Sequence, residues 1–168
     1  MTTTWTAPTV ERTEPARTAG ERESLEQWLN LHRETLLMKC AGLNAEQLKA
    51  RSVRPSGLSL LGLVRHMVEV ERWWFRMYAG NEQIGPEYRS DDNENADFDD
   101  LETFRREVES ARDAVRDKEL DDVIPSRGHD PGQTRNIRWI YVHMIEEYAR
   151  HNGHADLIRE CIDGAVGD

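Results

Sequence analysis

Apolar positions along this chain recur at steps of three and four, and no stretch sustains the alternation of a strand. Leu25, Trp28, Leu29, His32, Leu36 and Cys40 mark one face of a helix from about Glu21 to Cys40. Asn44 reads as the N-cap of a short helix over 45–51. A second long helix runs from about Leu58 to Gly80, with Gly80 as the glycine that follows its C-terminus. Its polar residues Arg65, Glu69, Arg72 and Arg76 share one narrow arc, and nearly everything else on it is apolar. Such a helix is buried on more than one side, which predicts a subunit interface as well as a core. Glu71 falls inside the apolar arc and calls for an arginine partner, from the N-terminal arm or a second subunit. Leu101, Phe104, Val108, Ala111 and Val115 form the seam of a third helix, from about Asp100 to Lys118. A fourth runs from about Asn136 to Ile162 and stops at Gly164, with Ile137, Ile140, Tyr141, Met144, Tyr148, Ala155, Ile158 and Ile162 as its apolar stripe.

The six prolines fall outside these long helices, as helix interiors require. Residues 1–20 are a Thr/Pro/Ala/Arg-rich arm that cannot fold alone, with Trp5 as its one anchor, and residues 21–168 make one domain. The acidic connection over 81–99 is long enough to cross a bundle end to end. The expected class is therefore all-α, a four-helix bundle.

Composition narrows the functions. Across 168 residues, 22 Lys and Arg stand against 32 Asp and Glu, a net charge of −10. A nucleic-acid binder or an anionic-membrane binder needs a basic footprint, which this chain lacks. No apolar run reaches the length of a membrane span, and no signal-peptide core opens the chain. With Cys40 and Cys161 as the only cysteines and no CxxC pair, the expected setting is the reducing cytoplasm, with both thiols buried and structural.

The chemistry concentrates on two helices. Glu147 and His151 are four apart, so they project from one face about 6 Å apart along the axis. On the helical wheel His151 lies inside the apolar stripe and Glu147 at its border, while His154 and His143 lie further round. A carboxylate beside a core needs a partner, and either a metal ion or an arginine supplies one. On the second helix His66 is flanked by Val70, Trp73 and Met77, again at an apolar border. His66, Glu147 and His151 together make a His₂Glu set, which suits catalytic zinc and equally non-haem iron; the same histidines also read as hydrogen-bonded core residues. Arg127, Arg135 and Arg138 beside His129 are either a dock for an anionic substrate or solvated charges at a helix start. Gly153 either permits a close helix approach beside His151 or is simply tolerated. Trp73, Trp74 and Phe75 read as interface and core.

The segment from Ser56 through His66 to Phe75, taken with the segment from His143 through His151 and His154 to Glu160, resembles the actinobacterial branch of the DinB-like superfamily. It is similar to the metal-binding domains of mycothiol-dependent maleylpyruvate isomerases. The resemblance covers most of the chain and implies an up-down-down-up four-helix bundle, often a homodimer. It also implies a metal triad, one histidine from the second helix and two ligands four apart on the last, which maps as His66, Glu147 and His151. Many superfamily members have His where this chain has Glu147; the His-Glu-His set is the one the isomerases use for zinc. His154 and His143 are then supporting residues rather than ligands.

Three functions compete. The first is a transferase or isomerase in which a divalent metal, zinc before nickel or iron, activates a low-molecular-weight thiol such as mycothiol toward a small electrophile. The second is metal-dependent hydrolysis with the same triad. The third is a non-enzymatic dimeric bundle linked to stress response.

Overall fold

A computed structural model describes residues 5–88, 99–126 and 132–167. Helices form where the apolar periodicity puts them: α1 (Glu21–Cys40), α2 (Ala45–Lys49), α3 (Leu60–Glu71), α4 (Asp99–Val115) and α5 (Ile137–Asp163). Side-chain caps fix three of the starts. Asn44 and Gln47 form a reciprocal capping box, Ser59 accepts from the Gly62 N–H, and Asn136 accepts from the Trp139 N–H. Gly164, at φ +80°, ends α5 in the left-handed conformation that glycine adopts without steric penalty.

The long second helix departs from the expectation. It is α-helical only to Glu71 and continues as a π-helical segment over Arg72–Ala79. The Gly80 N–H bonds back five residues to the Phe75 carbonyl. Gly80 itself has φ −76°, and the left-handed residue is Asn81, at φ +58°. Glycine is needed at position 80 for a different reason: an added Cβ would lie 2.7 Å from the Arg76 carbonyl oxygen and 3.1 Å from Ala114 Cβ of α4.

Residue pairs give the helix directions. Glu26 meets Tyr141, His32 meets Asn152, and Lys39 meets Arg159, so α1 and α5 run parallel. Arg65 pairs with Asp100 and Arg72 with Glu107, so α3 and its π extension run parallel to α4. His66 lies against His151, and Phe75 against Tyr141, so α3 and α5 run antiparallel. The polar arc of the second helix thus faces α4, where Glu107 also takes Arg76; Leu60, Leu61, Leu63, Val64, Met67, Val68, Phe75 and Tyr78 are buried within this one chain, while Val70, Trp73, Trp74 and Met77 are partly buried.

The core is one cluster that includes the whole predicted seam of α4 and all of the α5 stripe except Ile162, which packs at its edge. The α1 face holds at Leu29, Leu36 and Cys40, but Trp28 is 48% exposed. Burial pushes the Cys40 thiol up to about 12; Cys161 lies on the surface rather than in the core. Glu71 is paired with Arg33 of α1, not with the arm or a second subunit. The arm is tied down by backbone bonds, Ala7 N–H to the Leu43 carbonyl and Gly42 N–H to the Ala7 carbonyl, with Trp5 packed at the core's edge. Among the described residues the only sheet is a two-residue antiparallel ladder, Val123–Ile124 (β1) with Arg135–Asn136 (β2), too short to show in any alternation. No described helix is long and apolar enough to cross a membrane. The acidic 81–99 connection lies outside the described residues beyond Tyr88.

Candidate metal centre

α3 and α5 bring His66, Glu147 and His151 together, with one ligand atom from each lying within 4.8 Å of the other two. The His66 and His151 rings meet edge to face at 4.6 Å between centroids. His151 Nε2 stands 3.4 Å from Glu147 Oε2. Zinc bonds of 2.0–2.2 Å put the ligand atoms of a tetrahedral site roughly 3.4 Å apart. One edge of the triangle already has that length, and the others require movements of about an ångström. Two imidazoles and one carboxylate leave a further position open, and His66 keeps the site accessible to solvent. The donor set fits a divalent transition metal.

The surroundings fix the ligand atoms. Glu147 turns Oε1 away from His151, toward Arg150 Nη1 at 3.5 Å and His143 Nε2 at 4.0 Å, which leaves Oε2 for the site. His151 Nδ1 lies 3.4 Å from His154 Nδ1. In the tautomer with the proton on His151 Nδ1, donated to His154 Nδ1, His151 Nε2 is free as a lone-pair donor. His154 and His143 thus stand where supporting residues belong. His143, Glu146 and Glu147 form a second convergent group. There Arg150 pairs with both carboxylates and supplies the positive charge that a cation would bring, so the first group is the better metal site.

Burial lowers the pKa of His66 more than Glu147 and Glu69 raise it. For His151, burial and then the neighbouring His66 act in the same direction. His143 is lowered by burial ahead of all other influences. Neutral imidazole is the form that binds metal. His32, beside Asn152, is lowered by burial too. With four histidines depressed, the unfolded chain takes up protons first as pH falls below their ordinary value of about 6.5. The stability present above that pH is then lost on acidification, before the carboxylates Glu21, Asp121 and Asp163, also lowered, begin to protonate. The metal-free protein is expected to show a lower urea midpoint at about pH 5.5 than at about pH 7; equal midpoints would mean that these imidazoles protonate as freely folded as unfolded.

A wall of rings adjoins Glu147. The His143 ring stacks on Trp139 at 4.9 Å and 15°, and Trp74 packs against both, at 4.8 Å from His143 and 5.4 Å from Trp139. The Arg135 guanidinium lies 4.7 Å from the Trp139 centroid. Sequence reading placed Trp73 and Met77 on the face of His66. The π segment takes up one extra residue, so Trp74 and Tyr78 occupy the register those two would have had. Trp139 was not singled out at all; its spacing of four from His143 was the available signal. The expected arginine group does not assemble among the described residues. Arg138 is bound to Glu21 and Asp121, and Arg127 and His129 lie outside them. An added Cβ on Gly153 would meet nothing within 4 Å, so that glycine serves no close approach.

The family model described as mycothiol-S-transferase matches residues 24–164. The chain belongs to the mycothiol S-transferase family. The match takes in all three candidate ligands and the ring wall, and it leaves the N-terminal arm outside. Membership in this DinB-like family points to a mycothiol-related transferase activity. No curated protein matches the chain.

Proposed function

We propose that this protein is a cytoplasmic, metal-dependent mycothiol S-transferase that joins the thiol sulfur to a small electrophile. The supporting observation is the convergence of His66, Glu147 and His151 at a site open on one side, in a chain whose own thiols are elsewhere. A divalent ion held by these three, zinc before nickel or iron, would supply Lewis acidity that keeps a thiol as its thiolate at neutral pH.

The protein's own groups orient the site. Arg150 attracts Glu147 Oε1, with His143 alongside, and Oε2 is left on the side of the site. His154 holds the His151 ring through Nδ1. Trp74 and Trp139 pack against the His143 ring and hold it beside Glu147. In the transfer the S–H bond is lost, its proton leaving on the solvent side by His66, and an S–C bond forms. The leaving group departs with its electron pair, or, where the electrophile only adds the thiol, a proton returns to the product.

The test is metal analysis of protein purified without a histidine tag, followed by assay with mycothiol and a panel of alkylating and arylating electrophiles. The expected result is about one metal ion per chain, with thiol and electrophile consumed one for one. Electrophile lost while thiol stays constant would indicate a hydrolase. Absence of both metal, even after reconstitution, and turnover would leave a non-enzymatic bundle.

A further inference from the structure

Beside the triad, α5 carries a second convergent set of donors. His143, Glu146, Glu147 and Arg150 stand at i, i+3, i+4 and i+7, one face of one helix. One ligand atom from each of His143, Glu146 and Glu147 lies within 4.8 Å of the other two, the limit that the His66 triad also meets. Arg150 distinguishes the two sets. Its guanidinium reaches Glu146 Oε1 through Nη2 and Glu147 Oε1 through Nη1, the latter at 3.5 Å. Two carboxylate oxygens thus already converge on one positive group.

That positive group is held loosely. The Arg150 side chain is 55% exposed, and its contact with Glu147 is long for a charged hydrogen bond. Ion pairs of this exposure are weak, so displacing the guanidinium costs little. The imidazole is fixed better. Its ring stacks on Trp139 and meets Trp74 edge to face. So held, Nδ1 stands 3.8 Å from Glu146 Oε2, and Nε2 stands 4.0 Å from Glu147 Oε1. A neutral ring has one N–H and one lone pair, so it can satisfy a carboxylate on one side only. An ion in place of the guanidinium would take the Nε2 lone pair with the two Oε1 atoms, and the Nδ1 proton would face Glu146 Oε2. Glu147 would then give Oε2 to the first centre and Oε1 to the second.

We propose that His143, Glu146 and Glu147 form a second, weaker site for a divalent transition metal, joined to the first through Glu147, with Arg150 as its built-in competitor. One imidazole and two carboxylates suit zinc, manganese or cobalt(II). The assignment rests on Glu147 serving the His66 centre as well. A carboxylate divided between two ions donates less to each, so by linkage each ion weakens the other. Purification strips so weak a site, and the isolated protein still carries about one ion per chain.

The test is a calorimetric titration with zinc alone of metal-free wild type, Glu146→Gln, Arg150→Ala and His66→Ala. Wild type is expected to take up about two ions per chain, the second about a thousand-fold more weakly than the first. Glu146→Gln should keep the first ion and lose the second. His66→Ala should lose the first and keep the second. Arg150→Ala should bind the second about ten-fold more tightly. Saturation of wild type at one ion, or a second ion that survives Glu146→Gln, would overturn the second site and leave the His66 centre standing. A second ion bound no more tightly in Arg150→Ala would remove the competitor from the assignment. A single weak ion, lost in Glu146→Gln but not in His66→Ala, would sink the His66 centre and leave this one.

Discussion

Glu71→Ala lowers the stability of the protein by about 3–5 kcal/mol, and its melting temperature by roughly 10 °C. Glu71 has no solvent exposure, and Arg33 is 5% exposed. Arg33 Nε donates to Glu71 Oε1 and Nη2 to Oε2, both at 2.7 Å, and the buried Tyr148 hydroxyl donates to Oε1 at 2.7 Å. Burial opposes the Arg33 charge, and Glu71 more than offsets it, so the Arg33 pKa is raised. Removing the carboxylate strands a guanidinium and a phenol in the core, and that stranded charge, not the lost attraction, is the main cost. The double replacement Arg33→Met with Glu71→Leu should therefore recover most of the loss, because apolar groups of similar size need no partners there. Calorimetry of both variants decides the matter. A Glu71→Ala protein within about 1 kcal/mol of wild type would mean that water reaches the pair.

Zinc at a thousand-fold excess over its dissociation constant raises wild-type stability by about 4 kcal/mol and leaves His66→Ala and His151→Ala almost unmoved. A ligand that binds only the folded chain stabilises it through its free concentration. The candidate ligands come from α3 and α5, far apart in sequence, so the set exists only when the helices are packed. Each alanine removes one of three ligands and leaves an incomplete set. His143→Ala should keep part of the gain, with affinity weakened about 10–100-fold, since it touches only the outer oxygen of Glu147. Thermal unfolding across a zinc titration gives all four curves. Equal zinc shifts in wild type and the two ligand variants would place the ion elsewhere.

The helical periodicity of this chain carried much of the architecture and part of the site. Steps of three and four placed α1, α4 and α5 within a few residues, because caps such as Asn136 and Gly164 are local chemistry. The i, i+4 spacing of Glu147 and His151 likewise survives folding, because it depends on one helix. What failed depended on other elements. The partner of Glu71 is on α1, and no local pattern distinguishes Arg33 from the chain's other arginines. The wheel drawn through Trp73 and Met77 assumed 100° per residue and broke at Glu71, where α-helical bonding gives way to π. No residue in the run from Arg72 to Ala79 is a glycine or proline to announce that change. Trp28 sits on a face that is apolar by pattern but solvent-facing in the bundle.

A π turn is a helix carrying one residue more than its hydrogen-bond register accommodates, and it is undone by removing one. Deletion of a single codon within the stretch encoding Arg72 to Trp74 would restore regular winding and still leave two rings against His143. Insertion and deletion at this one point are therefore a route between two helical rods with the same ligand triad and different side chains on the face beyond it.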